Sequence, residues 1–180
     1  MNYAKNQNIY NSEYGAKMAT GELKPKIVDQ SQIKDFVYVE TANGKVKEYD
    51  NGIFKLRYNF GYGYWVSEIG TLYYEEDGEL KLYSKAKYKK VAASELNNYA
   101  RKTERYYYMV PNRGNQSYRV PETFVHFIVS YVWAPVGGLR YEKEGQVVDH
   151  IDGDSLNNRP ENLQYLTFAE NIAKYQRGEG

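Results

Sequence analysis

The chain has 180 residues, a formal charge of +1, no cysteine, two histidines and 21 tyrosines. That length allows one core, or a small catalytic unit with an appended module. The lack of cysteine excludes disulfides, thiolate zinc sites and thiol nucleophiles, and two histidines are too few for a zinc site built by the protein alone. No apolar run reaches the ~20 residues of a membrane-spanning helix, and the first residues lack an apolar signal core. A protein of a reducing cytoplasm, with no membrane partner, is therefore expected.

Residues 1–34 are polar with little periodicity and read as an N-terminal arm. From Phe36 the pattern is that of β-structure. Phe36–Glu40 and Lys45–Tyr49 flank Thr41-Ala42-Asn43-Gly44, a hairpin signal because Asn and Gly both tolerate positive φ. Asp50-Asn51-Gly52 turns the chain into Ile53–Arg57. Further strands are expected at 63–67, 71–75 and 79–83, as an antiparallel meander. Ser94 is placed to cap a short helix through Arg101. Arg105–Val110 and Gln116–Val120 flank Pro111–Asn115 and read as a strand pair. Pro121 suits the first turn of a helix, and the apolar residues 122–133 predict that this helix is buried. Gln146–Asp149 and Leu163–Leu166 read as short strands around a polar loop. Thr167-Phe168-Ala169-Glu170 has the form of a capping box, so a last helix is expected there.

The near-neutral total hides an asymmetry. Residues 1–80 hold 9 basic and 12 acidic residues, residues 81–119 hold 10 and 2, and residues 120–180 hold 5 and 9. A polyanion would be drawn to the middle belt and a divalent cation to the acidic last third. A charge run by itself is more often a solvated face. This one adjoins a candidate cation site, which favours nucleic acid. Lys85, Lys87, Lys89, Lys90, Arg101, Arg105, Arg113 and Arg119 are the candidate DNA contacts. The Tyr106-Tyr107-Tyr108 run reads as strand rather than as a platform for bases.

The chemistry is concentrated between Asp149 and Asn171. Asp149 and His150 end a strand, and Asn171 in the first turn of the last helix is expected to face them. Asp and Asn offer hard oxygen donors, which suit Mg²⁺ or Mn²⁺. His150 is the candidate general base, since an unperturbed imidazole titrates near pH ~6.5. A lone histidine more often packs than reacts, and His126 is expected to pack within its helix. Asp152 and Asp154 do not make a calcium loop, because Leu156 stands where an oxygen ligand is needed. Asp152-Gly153 reads as a turn.

Asp149-His150, Asp152-Gly153, Asn157-Asn158, Asn162-Leu163, Thr167 and Asn171 together resemble the HNH endonuclease family, most closely its phage and intron homing-endonuclease subgroup. His150, Asn162 and Asn171 stand for the three letters, with Asn in place of the last His. Tyr64–Tyr73 resembles a β module that precedes the motif in such proteins, and Val125–Val129 resembles the linking helix. The resemblance implies an α+β chain whose C-terminal part is a ββα-metal motif. Together with the polarity, β-pattern and charge above, it divides the chain into an arm at 1–34, a β-rich DNA-binding region at 35–120 and an HNH nuclease domain at 121–180. It implies one divalent metal held by Asp149 and Asn171, with His150 as base and Asn162 bonding across the loop to hold the His-bearing strand end. Arg159 is a further candidate phosphate contact. The implied activity is metal-assisted hydrolysis of double-stranded DNA to a 5′-phosphate and a 3′-hydroxyl, nicking as a monomer or cutting both strands as a homodimer. The implied setting is a bacterial host cell, with a phage or mobile-element origin. Two alternatives are kept: a DNA-binding protein on the same scaffold that does not cut, and a restriction or defence nuclease.

Overall fold

The computed structural model describes residues 29–91, 105–114, 121–141 and 146–178, and its fold is α+β. Strands β1 (Val37–Thr41), β2 (Gly44–Asp50), β3 (Lys55–Asn59), β4 (Tyr64–Ser67), β5 (Leu72–Glu76) and β6 (Glu79–Leu82) form one antiparallel meander in chain order. A second sheet has the order β7 (Lys87–Val91), β8 (Arg105–Pro111), β9 (Glu122–Phe124). A third pairs β10 (Gln146–His150) with β11 (Leu163–Thr167). Helix α1 (Val125–Trp133) precedes the third sheet and helix α2 (Phe168–Gln176) follows it. Among the described residues, no helix is long and apolar enough to cross a membrane.

The meander follows the expected order, with local departures. In the first hairpin Thr41 pairs with Gly44, so the loop is Ala42-Asn43 and only Gly44 takes a positive φ, +102°. Asn43 is used for tertiary contact instead. Its Nδ2 donates to the Tyr131 carbonyl at 2.9 Å and to the Tyr165 hydroxyl at 3.3 Å, and its Oδ1 accepts from the Tyr141 amide. Strand β3 starts two residues later than expected. The Asp50 and Asn51 side chains accept the amides of Gly52, Ile53 and Phe54, which takes those residues out of the ladder.

The helix expected over 122–133 begins only at Val125. Glu122, Thr123 and Phe124 instead pair with Pro111, Val110 and Met109, so their backbone groups belong to a sheet. Strand β8 is flanked by β7 and β9. The expected helix at 94–101 and strand at 116–120 lie outside the described residues, as do Arg101 and Arg119.

Helix α1 is the hub that positions the site. Its Val125, Ile128, Val129 and Val132 pack on Val46, Tyr64, Val66 and Leu72 of the meander and on Val110 of β8. The opposite meander face buries Leu56, Tyr58 and Trp65, packed by Ile33 and Phe36. Both faces are covered, so all four residues of β4 are fully buried. The last carbonyls of a helix lack partners inside it. Here Asn43 Nδ2, Arg57 Nη1 and the Ala42 amide donate to the carbonyls of Tyr131, Val132 and Ala134. The meander thereby fixes the C-terminal end of α1, while its first turn carries His126 towards the third sheet.

Candidate active site

Strands β10 and β11 pair with Asp149 opposite Gln164 and His150 opposite Leu163. The polar loop between them leaves His150 by a turn in which the Gly153 amide donates to the His150 carbonyl at 2.9 Å, with Gly153 at φ +77°. Asn162 closes the loop. Its Oδ1 accepts from the Asp152 amide at 3.0 Å, and its Nδ2 donates to Asp152 Oδ1 and to the Asn157 carbonyl, both at 2.9 Å. The second Asp152 oxygen accepts from Asn157 Nδ2 at 2.8 Å. The Asn157 bond, with the Asp154 amide, holds the Asp152 carboxyl below the usual carboxylate range. Asn162 thus ties the start of the loop to its middle.

His150 is buried, and its Nε2 lies 2.9 Å from Asn158 Oδ1. An amide oxygen only accepts, so Nε2 carries the ring proton and Nδ1 is the basic nitrogen. Burial pushes the His150 pKa down, outweighing the Asn158 bond and the nearby Asp149 and Asp152 charges. The imidazole is therefore neutral at neutral pH. The His126 ring stands edge-on to it with centroids 5.1 Å apart, and Tyr107 lies at 6.3 Å. Asn158 is in turn backed by the meander. Gly70, in the β4–β5 turn at φ +84°, approaches so closely that a Cβ there would sit 2.3 Å from the Asn158 carbonyl oxygen.

Asp149 is 7% exposed, and both of its oxygens are engaged. Lys174 Nζ donates to Oδ1 at 3.0 Å and Oδ2 at 2.9 Å, and Gln164 Nε2 donates to Oδ2 at 2.9 Å. The same ammonium reaches the His150 carbonyl at 2.9 Å and the Ile151 carbonyl at 3.2 Å. Helix α2 starts at Thr167, whose hydroxyl accepts the Glu170 amide at 3.1 Å and donates to the Glu170 carboxylate at 3.0 Å. The two residues that α2 buries are Asn171 and Lys174. The Asn171 side chain makes no hydrogen bond to another described residue. The Asp149 carboxylate and the His150 and Ile151 carbonyls converge on the Lys174 ammonium as a hard donor set, which suits Mg²⁺ or Mn²⁺ rather than a soft metal, and Asn171 is the amide oxygen that the same helix would add. Among the described residues no group of three or more His, Cys, Asp and Glu is placed to hold a metal ion.

Residues 132–173 match the family model HNH_3, described as HNH endonuclease. That segment is similar to HNH endonucleases. The match covers less than a quarter of the chain, and no curated protein and no solved structure matches it.

The basic belt meets the HNH segment unevenly. Arg105 is drawn into it. Its Nη1 donates to the Gly153 carbonyl at 3.1 Å, and its guanidinium lies 5.3 Å from the Tyr175 ring centre. Ser155 adds a hydroxyl bond to the Tyr106 carbonyl, so the loop is docked on β8. Arg113 lies over the Tyr74 ring at 4.5 Å. Lys85, Lys87 and Lys90 are exposed and Lys89 is half-buried, with Lys87 2.7 Å from Glu122. The exposed Arg159 pairs with Glu161 at 2.7 Å. Tyr107 points into the core and Tyr106 out, as in a strand, and Tyr106 stacks on exposed Tyr88 at 4.4 Å. Sequence reasoning missed Asn158, Gln164 and Lys174. Lys174 carried a signal: three residues after Asn171 in a helix, it shares that residue's face.

Proposed function

We propose that the protein is a divalent-metal-dependent DNA endonuclease of homing type. His150 is the general base, Asp149 and Asn171 are the metal ligands, and Asn162 holds the catalytic loop. One observation carries this reading. The buried Asp149 carboxylate at the end of β10 is held by Lys174 of α2, the helix whose other buried residue is Asn171, and a buried neutral imidazole, His150, follows Asp149 in the chain.

The Asn158 bond presents His150 Nδ1 to take a proton from the water that attacks phosphorus. The water oxygen bonds to phosphorus, the bond to the 3′ oxygen breaks, and a 5′-phosphate and a 3′-hydroxyl remain. Asp149 and Asn171 would hold Mg²⁺ or Mn²⁺, which supplies positive charge to the scissile phosphate and the leaving oxygen. Lys85, Lys87, Lys89, Lys90 and Arg159 are the phosphate contacts of this reading, with the exposed Arg113 beside them, whereas Arg105 is engaged with the loop through the Gly153 carbonyl. With one such site per chain, a monomer nicks and a homodimer cuts both strands. Replacing His150 with Ala is expected to lower Mg²⁺-dependent relaxation of supercoiled plasmid by about 10²–10⁴-fold while DNA binding by gel shift is kept. Undiminished cleavage by that variant would remove the assignment.

One observation favours the non-cutting alternative: Asp149 is already saturated by Lys174 and Gln164. Incubating supercoiled plasmid with the wild-type protein and Mn²⁺ separates the two, since a binding protein leaves the plasmid intact.

A further inference from the structure

The Lys174 ammonium is a buried, closely coordinated cation. Four oxygens from Asp149, His150 and Ile151 surround it at 2.9–3.2 Å. Its side chain is 9% exposed and that of Asp149 is 7% exposed. The ammonium therefore occupies the place where the carboxylate and the end of β10 converge. A single carboxylate cannot neutralise both an ammonium and a divalent ion in that space. Two cations sharing Asp149 in a poorly solvated pocket repel strongly.

We infer that Lys174 is the resident cation of the Asp149 site and has to leave when the metal arrives. Metal loading then becomes an exchange of an ammonium for a divalent ion. This rests on the nuclease reading above and adds a step to it. In the metal-free protein Lys174 offsets the buried charge of Asp149 and keeps the end of β10 assembled. That role suits an ammonium, a compact point charge on a flexible stem.

The structure also provides somewhere for the displaced side chain to go. Lys174 borders a cavity of about 320 Å³ whose other walls are Gln164, Leu166, Glu170, Ala173 and Arg177, so a displaced ammonium would share Glu170 with the Arg177 guanidinium. Glu170 lies four residues before Lys174 on α2, the spacing at which a glutamate and a lysine meet on a helix surface. The ammonium thus has two acidic positions: Asp149 in the metal-free state and Glu170 in the loaded state. Asn171, on the same buried face, is then left to complete the metal's shell with Asp149.

The test compares Mn²⁺ binding, by calorimetry, in the wild type and in Lys174→Met, counting only binding that Asp149→Asn abolishes. Removing the competing ammonium is expected to tighten Mn²⁺ binding at least 10-fold. Because Lys174→Met leaves a buried carboxylate unpaired and risks misfolding, a second measurement uses the wild type alone. Acetylation of Lys174 by an amine-reactive ester, read by mass spectrometry, is expected to rise several-fold when Mn²⁺ saturates the site, while the other lysines are unchanged. Equal affinities in the two proteins, or a Lys174 that stays protected at saturating Mn²⁺, overturn the exchange and leave the nuclease reading standing. If neither protein shows Mn²⁺ binding that depends on Asp149, both the exchange and the metal site fall.

Discussion

The meander and the HNH segment are held together by different forces. In the meander the buried residues are mainly apolar: Val46, Leu56, Tyr58, Tyr64, Trp65, Val66 and Leu72. From β10 to α2 they are Asp149, His150, Ser155, Asn162, Asn171 and Lys174, with Tyr165 the only buried hydrophobic residue among those described. Burial of apolar area is non-directional and tolerates small shifts, whereas buried polar groups need partners in set positions. The first region is therefore a scaffold and the second a polar network laid on it. They meet where Gly70 backs Asn158, where Asn43 reaches Tyr165, and where β8 and Arg105 carry the loop.

This contrast can be broken by substitution. Trp65→Ala empties the centre of the meander and is expected to cost about 3–5 kcal/mol in urea unfolding. Cleavage per folded molecule should stay near wild type. An equal loss of activity at saturating stability would show that scaffold and site are not separable.

Asn162→Ala removes three side-chain hydrogen bonds and leaves the Asp152 amide and Asn157 carbonyl unsatisfied. A loss of about 1–3 kcal/mol is expected, with a larger proportional loss of plasmid cleavage because the loop bearing His150 loosens. Unchanged cleavage would mean that the loop is held by other contacts.

Gly70→Ala probes the seam. The positive φ alone costs about 1 kcal/mol, and the added methyl must push the Asn158 carbonyl away. Cleavage should fall although Gly70 belongs to the meander, through the Asn158 bond that orients His150. Normal activity with reduced stability would place the support of Asn158 elsewhere.

Lys87→Ala should be nearly silent in unfolding, within about 0.5 kcal/mol, because its pair with Glu122 is exposed. Its effect belongs in DNA binding, as a shallower dependence of affinity on salt. An unchanged salt slope would remove Lys87 from the DNA-facing surface.

Legibility differed in the same way between the regions. The meander strands were readable because alternation and turn residues act over a few residues. The errors fell where a side chain took over a turn: Asn43 clips α1 instead of adopting positive φ, and Asn51 delays β3. The helix start at Val125 was misplaced because only pairing with β8 shows that Glu122–Phe124 is strand. For the candidate site, a turn and a capping box marked the surroundings of Asp149, His150 and Asn171, while Asn162 was singled out only by the resemblance to HNH endonucleases. The belt was read as one surface, yet the structure ties Arg105 to the Gly153 carbonyl, while Arg113 stays exposed over the Tyr74 ring.

Local chemistry was enough to place a carboxylate and an imidazole at a strand end and an asparagine in a capped helix. Such features depend on hydrogen bonds between near neighbours in the chain, so their spacing survives in the sequence. Which cation sits on Asp149, which amide sets the His150 tautomer and which glycine stands behind that amide depend on how separate elements pack. Lys174, Asn158 and Gly70 acquire these roles only when α2, the loop and the β4–β5 turn come together, because contact across that distance is decided by shape and not by spacing.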